Sequence, residues 1–324
     1  MQITDIVAIV LGLVGLFLGG NWLVRGAGRL ATSFGVSPML VGMTVVAFGT
    51  SAPELLVSAS AALSGVSDLA LGNVVGSNIA NVGLMLGLAA LMVPFRVEWT
   101  LIKREIPVML IATASVIIFA YDGLISQAEG GVLLMGMALF LLLQYRWMLM
   151  DRAMITPEVT DYDRALGVVG KDIHRLTELG FITIGLIALV IGSQLMISGA
   201  VSIARHLGIS ELIVGVTLVA VGTSLPELVT TIVAARRKQS DIAVGNAVGS
   251  NIFNLLLILS ITTLIRPIPA DLDQVGVDFL FMILTAAIIP LLLMPTKGMG
   301  RGRGFLLLAL YGLYVILAIV RGRV

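Results

Sequence analysis

The chain has 324 residues, of which 58% are hydrophobic and only 12% are charged, and its formal net charge is +1. Because soluble domains have about 25% charged residues, this composition and a mean hydropathy of +1.06 indicate an integral membrane protein. The small net charge gives no argument for nucleic-acid binding, and the lack of cysteine excludes disulfides, thiolate metal sites and thiol catalysis.

The charged residues delimit ten predicted transmembrane helices. Most of the apolar runs between them are long enough to cross a membrane once at the rise of an α-helix. Helix 2 and helix 7 are unusual because each contains one glutamate within its apolar run. The ten predicted helices lie within residues 5–25, 29–68, 68–96, 105–122, 129–146, 178–205, 211–236, 241–266, 278–297 and 303–321.

Lys and Arg are distributed unequally between the two sides of this helical array. The loops after helices 1, 3, 5, 7 and 9 hold 16 of the 20 basic residues, and the opposite side holds 4. Basic residues concentrate in cytoplasmic loops. We therefore expect a multi-pass protein of the cell membrane with both termini extracellular and the loop between helices 5 and 6 cytoplasmic.

The chain contains an internal repeat. Residues 35–81 align without a gap to residues 208–254, and 26 of the 47 pairs are identical. We predict two halves, 1–150 with helices 1–5 and 178–324 with helices 6–10, joined by a cytoplasmic connector at 151–177. Because five is odd, the second half must be inverted in the membrane, which is typical of transporters.

The predicted fold is therefore an all-α integral membrane protein. Its ten transmembrane helices form two inverted five-helix repeats, and helices 2, 3, 7 and 8 are expected to be broken. Some channels also contain inverted repeats, so the repeat alone leaves a channel open as an alternative.

The first motif of each repeat places a carboxylate inside a predicted span. It reads "GTSAPE", ending at Glu54, and "GTSLPE", ending at Glu227. A charge at this depth costs roughly 2.5–3.5 kcal/mol and usually has a functional reason. A structural carboxylate bonded to a neighbouring helix is the alternative, but two at equivalent positions favour function. Pro53 and Pro226 lack an N–H and leave backbone carbonyls without their helical partners.

Hydroxyl and amide side chains surround these glutamates in the sequence. Thr50 and Ser51 lie on the same helix face as Glu54 at spacings of four and three, and the second repeat has the same spacing. The second motif, "GNVVGSNIAN" and "GNAVGSNIFN", adds a serine and an asparagine four residues apart. The remaining amides, at Asn73, Asn78, Asn246 and Asn251, are expected to hold helices together. The neutral candidates are Thr50, Ser51, Ser77 and Asn81, with Thr223, Ser224, Ser250 and Asn254 in the second half.

This all-oxygen set suits a hard cation. Two carboxylates carry a charge of −2, which matches one Ca²⁺, and Ca²⁺ binds 6–8 oxygens. The same oxygens in smaller groups could hold several Na⁺.

The two motifs in both repeats resemble those of the sodium/calcium exchanger family of cation antiporters, in particular its prokaryotic members. The resemblance covers nearly the whole chain and implies exchange of Na⁺ for Ca²⁺ by alternating access. It implies that Ca²⁺ is bound by Glu54 and Glu227 with the carbonyls of Thr50 and Thr223. It also implies that Na⁺ uses these glutamates with the Ala47 carbonyl, Ser51 and Ser77 in one half and the Ala220 carbonyl, Ser224 and Ser250 in the other, while Asn81 and Asn254 line the middle.

One position departs from the family pattern. Many relatives have Asp where this chain has Asn254, and potassium-dependent exchangers are expected to have Asp in both repeats. Two asparagines argue against K⁺ dependence. Proton/calcium exchangers are expected to carry an acidic residue in the second motif, so its absence favours Na⁺, and an H⁺-coupled Ca²⁺ antiporter remains the alternative together with a cation channel.

An intramembrane hydrolase would be a different class of protein. It would use Ser51 or Ser224 as a nucleophile and would need a base within hydrogen-bond reach. No His or Lys lies in these spans, so we predict no enzymatic activity. No cofactor and no protein partner are expected, and the predicted partners are the lipid bilayer and the transported Ca²⁺ and Na⁺.

Overall fold

A computed structural model describes residues 3–152, 175–206, 220–295 and 298–321. The connector predicted at 151–177 lies almost entirely outside the described residues, as does the start of predicted helix 7. The first half contains α1 (Ile3–Phe34), α2 (Pro38–Val41), α3 (Ala47–Thr50), α4 (Ala52–Leu63), α5 (Ser67–Ala80), α6 (Gly87–Met92), α7 (Trp99–Lys103), α8 (Glu105–Phe119) and α9 (Gln127–Arg152). The second half contains α10 (Arg175–His206), α11 (Ala220–Thr223), α12 (Leu225–Arg236), α13 (Ser240–Phe253), α14 (Leu259–Ile265), α15 (Leu272–Leu293) and α16 (Arg301–Val320).

The protein is a helical multi-pass membrane protein. Among the described residues, seven helices are long and apolar enough to cross a membrane, and the bent pair 38–50 and 52–63 would be an eighth. The predicted helix 4 corresponds to α8, which has only 15 residues, and predicted helix 7 is described only in part. The full count of ten remains a prediction.

Helices α1 and α10 are each 32 residues long and run antiparallel in close contact. A Cβ atom on Gly12 would lie 2.7 Å from the carbonyl oxygen of Gly192, and one on Gly19 would lie 2.8 Å from that of Gly185. Only glycine permits this approach of two backbones. At roughly 48 Å both helices exceed the hydrocarbon thickness of a membrane, so we expect them to tilt.

Both helices extend beyond the charges that were expected to delimit them. Arg25 and Arg29 lie inside α1, because a charged side chain near the membrane surface does not interrupt backbone hydrogen bonding. Gly12 and Gly19 are separated by 173 residues from Gly185 and Gly192, which extends the repeat outward to the first helix of each half.

Predicted helices 2 and 7 are broken at the expected motif. The helix ends at Thr50 and restarts at Ala52, and the intervening Ser51 has φ −82° and ψ 6°. Ser224 interrupts the second half in the same way, with φ −88° and ψ 7°. The proline lies in the first turn of each restarting helix, where its missing N–H leaves no helical bond unmade.

The prediction that helices 3 and 8 are broken is wrong. Each is a continuous helix, over residues 69–92 and 240–265, which changes to π-helical winding at Asn81–Leu86 and at Asn254–Ile258. Neither segment contains proline, so an extra residue can be absorbed in a π-helical turn without a break. The two turns begin at the asparagines that the sequence marked as site residues.

The helices at 69–92 and 240–265, which correspond to predicted helices 3 and 8, form the centre of the protein. Their most apolar windows are 72% and 78% buried, whereas the other five long helices reach only 17–33%. Two short antiparallel strand pairs join the halves at their loops. Strand β1 (Phe95–Arg96) pairs with β4 (Gly298–Met299), and β2 (Leu124–Ile125) pairs with β3 (Ile268–Pro269).

Candidate cation site

The two intramembrane glutamates are almost completely buried. Glu54 and Glu227 are each 1% exposed, and each lies in the first turn of the helix that restarts after the break. The N-terminal end of a helix carries a partial positive charge that stabilises a carboxylate. The break therefore helps the sequence to keep an acidic side chain inside the protein.

Each glutamate accepts a hydrogen bond from the opposite half. The Ser51 hydroxyl donates to Oε1 of Glu227 over 3.0 Å, and the Ser224 hydroxyl donates to Oε1 of Glu54 over 2.9 Å. The two bonds are equivalent under the repeat. They bring both carboxylates together between the two broken helices. The shared helix face of Ser51 and Glu54 did not indicate that each serine contacts the glutamate of the other half.

The neighbouring threonines make a second crossed pair of contacts. The Thr50 hydroxyl donates to Oδ1 of Asn246 over 3.2 Å, and the Thr223 hydroxyl donates to Oδ1 of Asn73 over 3.5 Å. These asparagines were expected to hold helices together, and the structure places them between the halves. The Thr-Ser pair of each motif thus contacts the other repeat.

The serines of the second motif are buried beside the breaks. The Ser77 hydroxyl oxygen lies 3.1 Å from that of Ser224, because the break of the second half lies against α5. Ser250 is fully buried.

Asn81 and Asn254 are both 1% exposed at the start of the π-helical turns. Asn81 donates through Nδ2 to Oδ1 of Asn251 over 2.9 Å, and Asn251 donates to the carbonyl of Asn78 and to the sulfur of Met109. From the sequence, Asn251 was predicted only to hold helices together. Its position within the repeated "SNI" segment was a signal that it lies close to the site residues. No sequence signal pointed to Met109.

Within the part of the chain that the structure describes, five side-chain oxygens of the predicted site are buried and have no hydrogen-bond partner. Buried polar atoms in proteins are normally paired, and oxygen acceptors of this kind are the ligands that hard cations prefer. Among the described residues, no group of three or more His, Cys, Asp or Glu could hold a metal, so neutral oxygens must complete any shell. The five atoms are Oε2 of Glu54 and Glu227, the Ser250 hydroxyl, and Oδ1 of Asn81 and Asn254.

The alanine carbonyls of the predicted site lie before the breaks. The Ala47 carbonyl accepts the backbone N–H of Ser51 over 3.0 Å and the Thr50 hydroxyl over 3.4 Å. A carbonyl oxygen has two lone pairs and can accept more than one partner. Ala220 is the first described residue of α11.

Comparison with known proteins agrees with this geometry. The sequence model of the family described as sodium/calcium exchanger protein matches residues 4–146 and 177–320. The chain is 39% identical over 289 residues to the putative antiporter CaxA of Alkalimonas amylolytica, with 89% of each chain covered. It is 35% identical to the sodium/calcium exchanger MaX1 of Methanosarcina acetivorans, with 98% of this chain and 99% of MaX1 covered.

The structural comparison extends over the same length. The fold is similar to that of the sodium-calcium exchanger NCX_Mj soaked with Na⁺ and Ca²⁺, with a TM-score of 0.82, 34% identity, and 99% of each chain covered. The family match and both relatives cover nearly all of the chain. This transporter, which is not an enzyme, therefore belongs to the sodium/calcium exchanger family.

Proposed function

We propose that this protein is a secondary active antiporter that exchanges Na⁺ for Ca²⁺ by alternating access. The observation that carries the proposal is the crossed pair of bonds from Ser51 to Glu227 and from Ser224 to Glu54. These bonds join two buried carboxylates from the two halves in a single polar site. The proposed architecture is ten transmembrane helices in two inverted repeats, 1–150 and 178–324, with a cytoplasmic connector at 151–177.

One Ca²⁺ would lie between Glu54 and Glu227, whose combined charge of −2 it neutralises. The carbonyls of Thr50 and Thr223 would supply further ligands, since Ca²⁺ binds 6–8 oxygens. The unpartnered Oε2 atoms of the two glutamates support this assignment.

Several Na⁺ would use the same oxygens in smaller groups. The contact between Ser77 and Ser224 supports sites that draw ligands from both halves rather than from one. Asn81 and Asn254 would line the middle. The proposed Na⁺ ligands are Glu54, Glu227, Ser51, Ser77, Ser224, Ser250 and the carbonyls of Ala47 and Ala220.

The location of the site between two inverted halves supports alternating access. Movement of one half against the other could expose the same oxygens first to one side of the membrane and then to the other. Ca²⁺ and Na⁺ would compete for the two glutamates, so one must leave before the other binds. This competition is what makes an exchanger differ from a channel.

Transport in liposomes tests this proposal. Purified protein is reconstituted into liposomes loaded with Na⁺, and uptake of ⁴⁵Ca²⁺ is measured in Na⁺-free buffer. We expect uptake that requires the outward Na⁺ gradient. Uptake driven by a proton gradient without Na⁺ would indicate the H⁺-coupled alternative, and uptake without any opposing gradient would indicate a channel.

Reporter fusions test the proposed orientation in the cell membrane. The charge distribution of 16 basic residues against 4 predicts that a reporter after Val324 is external and one inserted near Val159 is cytoplasmic. If both reporters are found on the same side of the membrane, the inverted five-helix halves are wrong.

A further inference from the structure

Two buried asparagines donate hydrogen bonds to the backbone carbonyls of the two glutamates. Asn246 donates through Nδ2 to the carbonyl of Glu227 over 3.3 Å and to the hydroxyl of Thr231 over 3.1 Å. Its Oδ1 accepts the hydroxyl of Thr50 from the other half over 3.2 Å. One amide therefore connects the glutamate helix of its own repeat to the break of the opposite repeat.

Asn73 makes the equivalent contacts in the first half. It donates to the carbonyl of Glu54 over 3.3 Å and to the hydroxyl of Ser58 over 3.0 Å, and it accepts from Thr223 over 3.5 Å. Asn73 is 9% exposed and Asn246 is fully buried. A contact made twice by residues that lie 173 positions apart is a property of the site rather than of one helix.

We propose that Asn73 and Asn246 are positioning residues that set the separation of the two halves of the site and thereby its preference for Ca²⁺ over Na⁺. They do not contact the ion. This inference rests on the proposed exchange of Na⁺ for Ca²⁺ and adds to it the residues that determine selectivity.

Asparagine fits this role because its amide has two donors and one acceptor oxygen. The two donors bind a glutamate carbonyl and a hydroxyl of the same half, and the acceptor binds a threonine of the opposite half. Thr50 and Thr223 are the residues whose carbonyls are proposed to bind Ca²⁺. A change in either asparagine should therefore move a ligand from one half relative to a carboxylate from the other.

The effect should differ between the two ions. One Ca²⁺ must contact both glutamates and ligands of both halves at once to reach 6–8 oxygens. Each Na⁺ needs a smaller group of oxygens and tolerates a change in the separation of the halves. Loss of a crossed contact should therefore weaken Ca²⁺ more than Na⁺.

The test measures the KM for Ca²⁺ and the concentration of Na⁺ that half-maximally inhibits Ca²⁺ uptake, in liposomes containing wild type or a variant. For Asn246→Ala we expect the KM for Ca²⁺ to rise at least about tenfold, because the variant loses three buried hydrogen bonds and the loss of one is already enough for about a tenfold change. The inhibitory Na⁺ concentration should change by less than about threefold. Asn78→Ala is the matched control, because among the described residues this amide donates to the carbonyl of Val74 in its own helix, and the ratio of the two constants should stay at the wild-type value.

A second pair of variants tests the same contact if Asn246→Ala does not fold. Thr231→Val removes the hydroxyl that accepts from Asn246 and should raise the KM for Ca²⁺ in the same direction by a smaller factor. Thr231→Ser keeps a hydroxyl, as Ser58 does at the equivalent position, and should restore the wild-type ratio.

Three outcomes separate the possibilities. Equal changes for both ions in Asn246→Ala, or identical behaviour of Thr231→Val and Thr231→Ser, would overturn the selectivity role. A wild type that takes up no Ca²⁺ against Na⁺ would instead overturn the proposed function. Selective loss of Ca²⁺ affinity in Asn246→Ala and Thr231→Val, with Thr231→Ser and Asn78→Ala unchanged, is the predicted result.

Discussion

At the candidate cation site the crossed bonds from Ser51 and Ser224 to the glutamates are made once by each half, whereas the basic contacts at one end of the α1–α10 pair involve two arginines of α1 whose equivalent positions hold serine. Arg29 lies 3.1 Å from the Glu178 carboxylate, and the Arg25 guanidinium lies 5.0 Å from the centre of the Phe181 ring. Arg175 donates to the carbonyl of Ser33 over 3.0 Å.

The opposite end of the same helix pair has different residues. The positions 173 residues after Arg25 and Arg29 are Ser198 and Ser202, while the position equivalent to Glu178 is Asp5. The carboxylate is thus repeated at the equivalent position, and the two arginines of α1 are not. In the proposed exchange the crossed contacts are kept in both halves because one ion must meet equivalent groups in both access states. The ends face different compartments in the proposed topology, so they follow the positive-inside rule instead.

The largest effect should follow from removing one carboxylate of the site. Glu54→Gln and Glu227→Gln should each reduce Na⁺-driven ⁴⁵Ca²⁺ uptake at least about 100-fold, because one carboxylate cannot balance a divalent ion in a buried site. The protein should remain folded, as judged by size-exclusion chromatography. Glu98→Gln is the control, since Glu98 is an exposed glutamate that contacts Thr100, and it should transport normally. Near-normal uptake by either glutamine variant would mean that the altered glutamate is structural.

How much of this site could be read from the sequence depends on the kind of contact. Pro53 and Pro226 predicted the breaks because proline acts on its own backbone. The π-helical turns at Asn81 and Asn254 have no such local cause, so the sequence predicted breaks where the helix in fact continues. The π-helical winding at these two asparagines depends on how the central helices at 69–92 and 240–265 pack.

The crossed contacts could not be predicted from spacing within a motif. Spacing indicates which side chains share a helix face, and it placed Thr50 and Ser51 on the face of Glu54. It does not indicate that these two hydroxyls contact Asn246 and Glu227 of the other half. To predict these contacts one must know how the two halves cross. The crossing depends on long-range packing such as the glycine contacts of α1 and α10.

The glycine contacts predict the next largest effect. Gly185→Ala should lower the free energy of unfolding by about 1–3 kcal/mol, a typical cost of overpacking, because the new Cβ would lie 2.6 Å from the backbone nitrogen of Leu23. Thermal unfolding in detergent measures this change. Gly180→Ala, on the same helix with no atom within 4 Å of its Cβ position, should not destabilise. Equal stability of the two variants would contradict the close packing of α1 and α10.

The basic end should give a smaller effect. Arg29→Gln leaves the buried Glu178, which is 3% exposed, without its ion-pair partner and should lower stability by about 1–2 kcal/mol. Thermal unfolding is again the measurement. Arg146→Gln is the control because Arg146 is exposed. An Arg29→Gln variant as stable as this control would show that the pair contributes nothing.

The most direct test of the central claim is the number of Ca²⁺ ions bound per chain. The crossed bonds between Ser51 and Glu227 and between Ser224 and Glu54 require one site made by both halves. Equilibrium binding of ⁴⁵Ca²⁺ to purified protein without Na⁺ should therefore give one ion per wild-type chain and none for Glu54→Gln or Glu227→Gln at the same concentration. Two ions per wild-type chain, with one retained in each variant, would show that each half has its own site and would contradict the account.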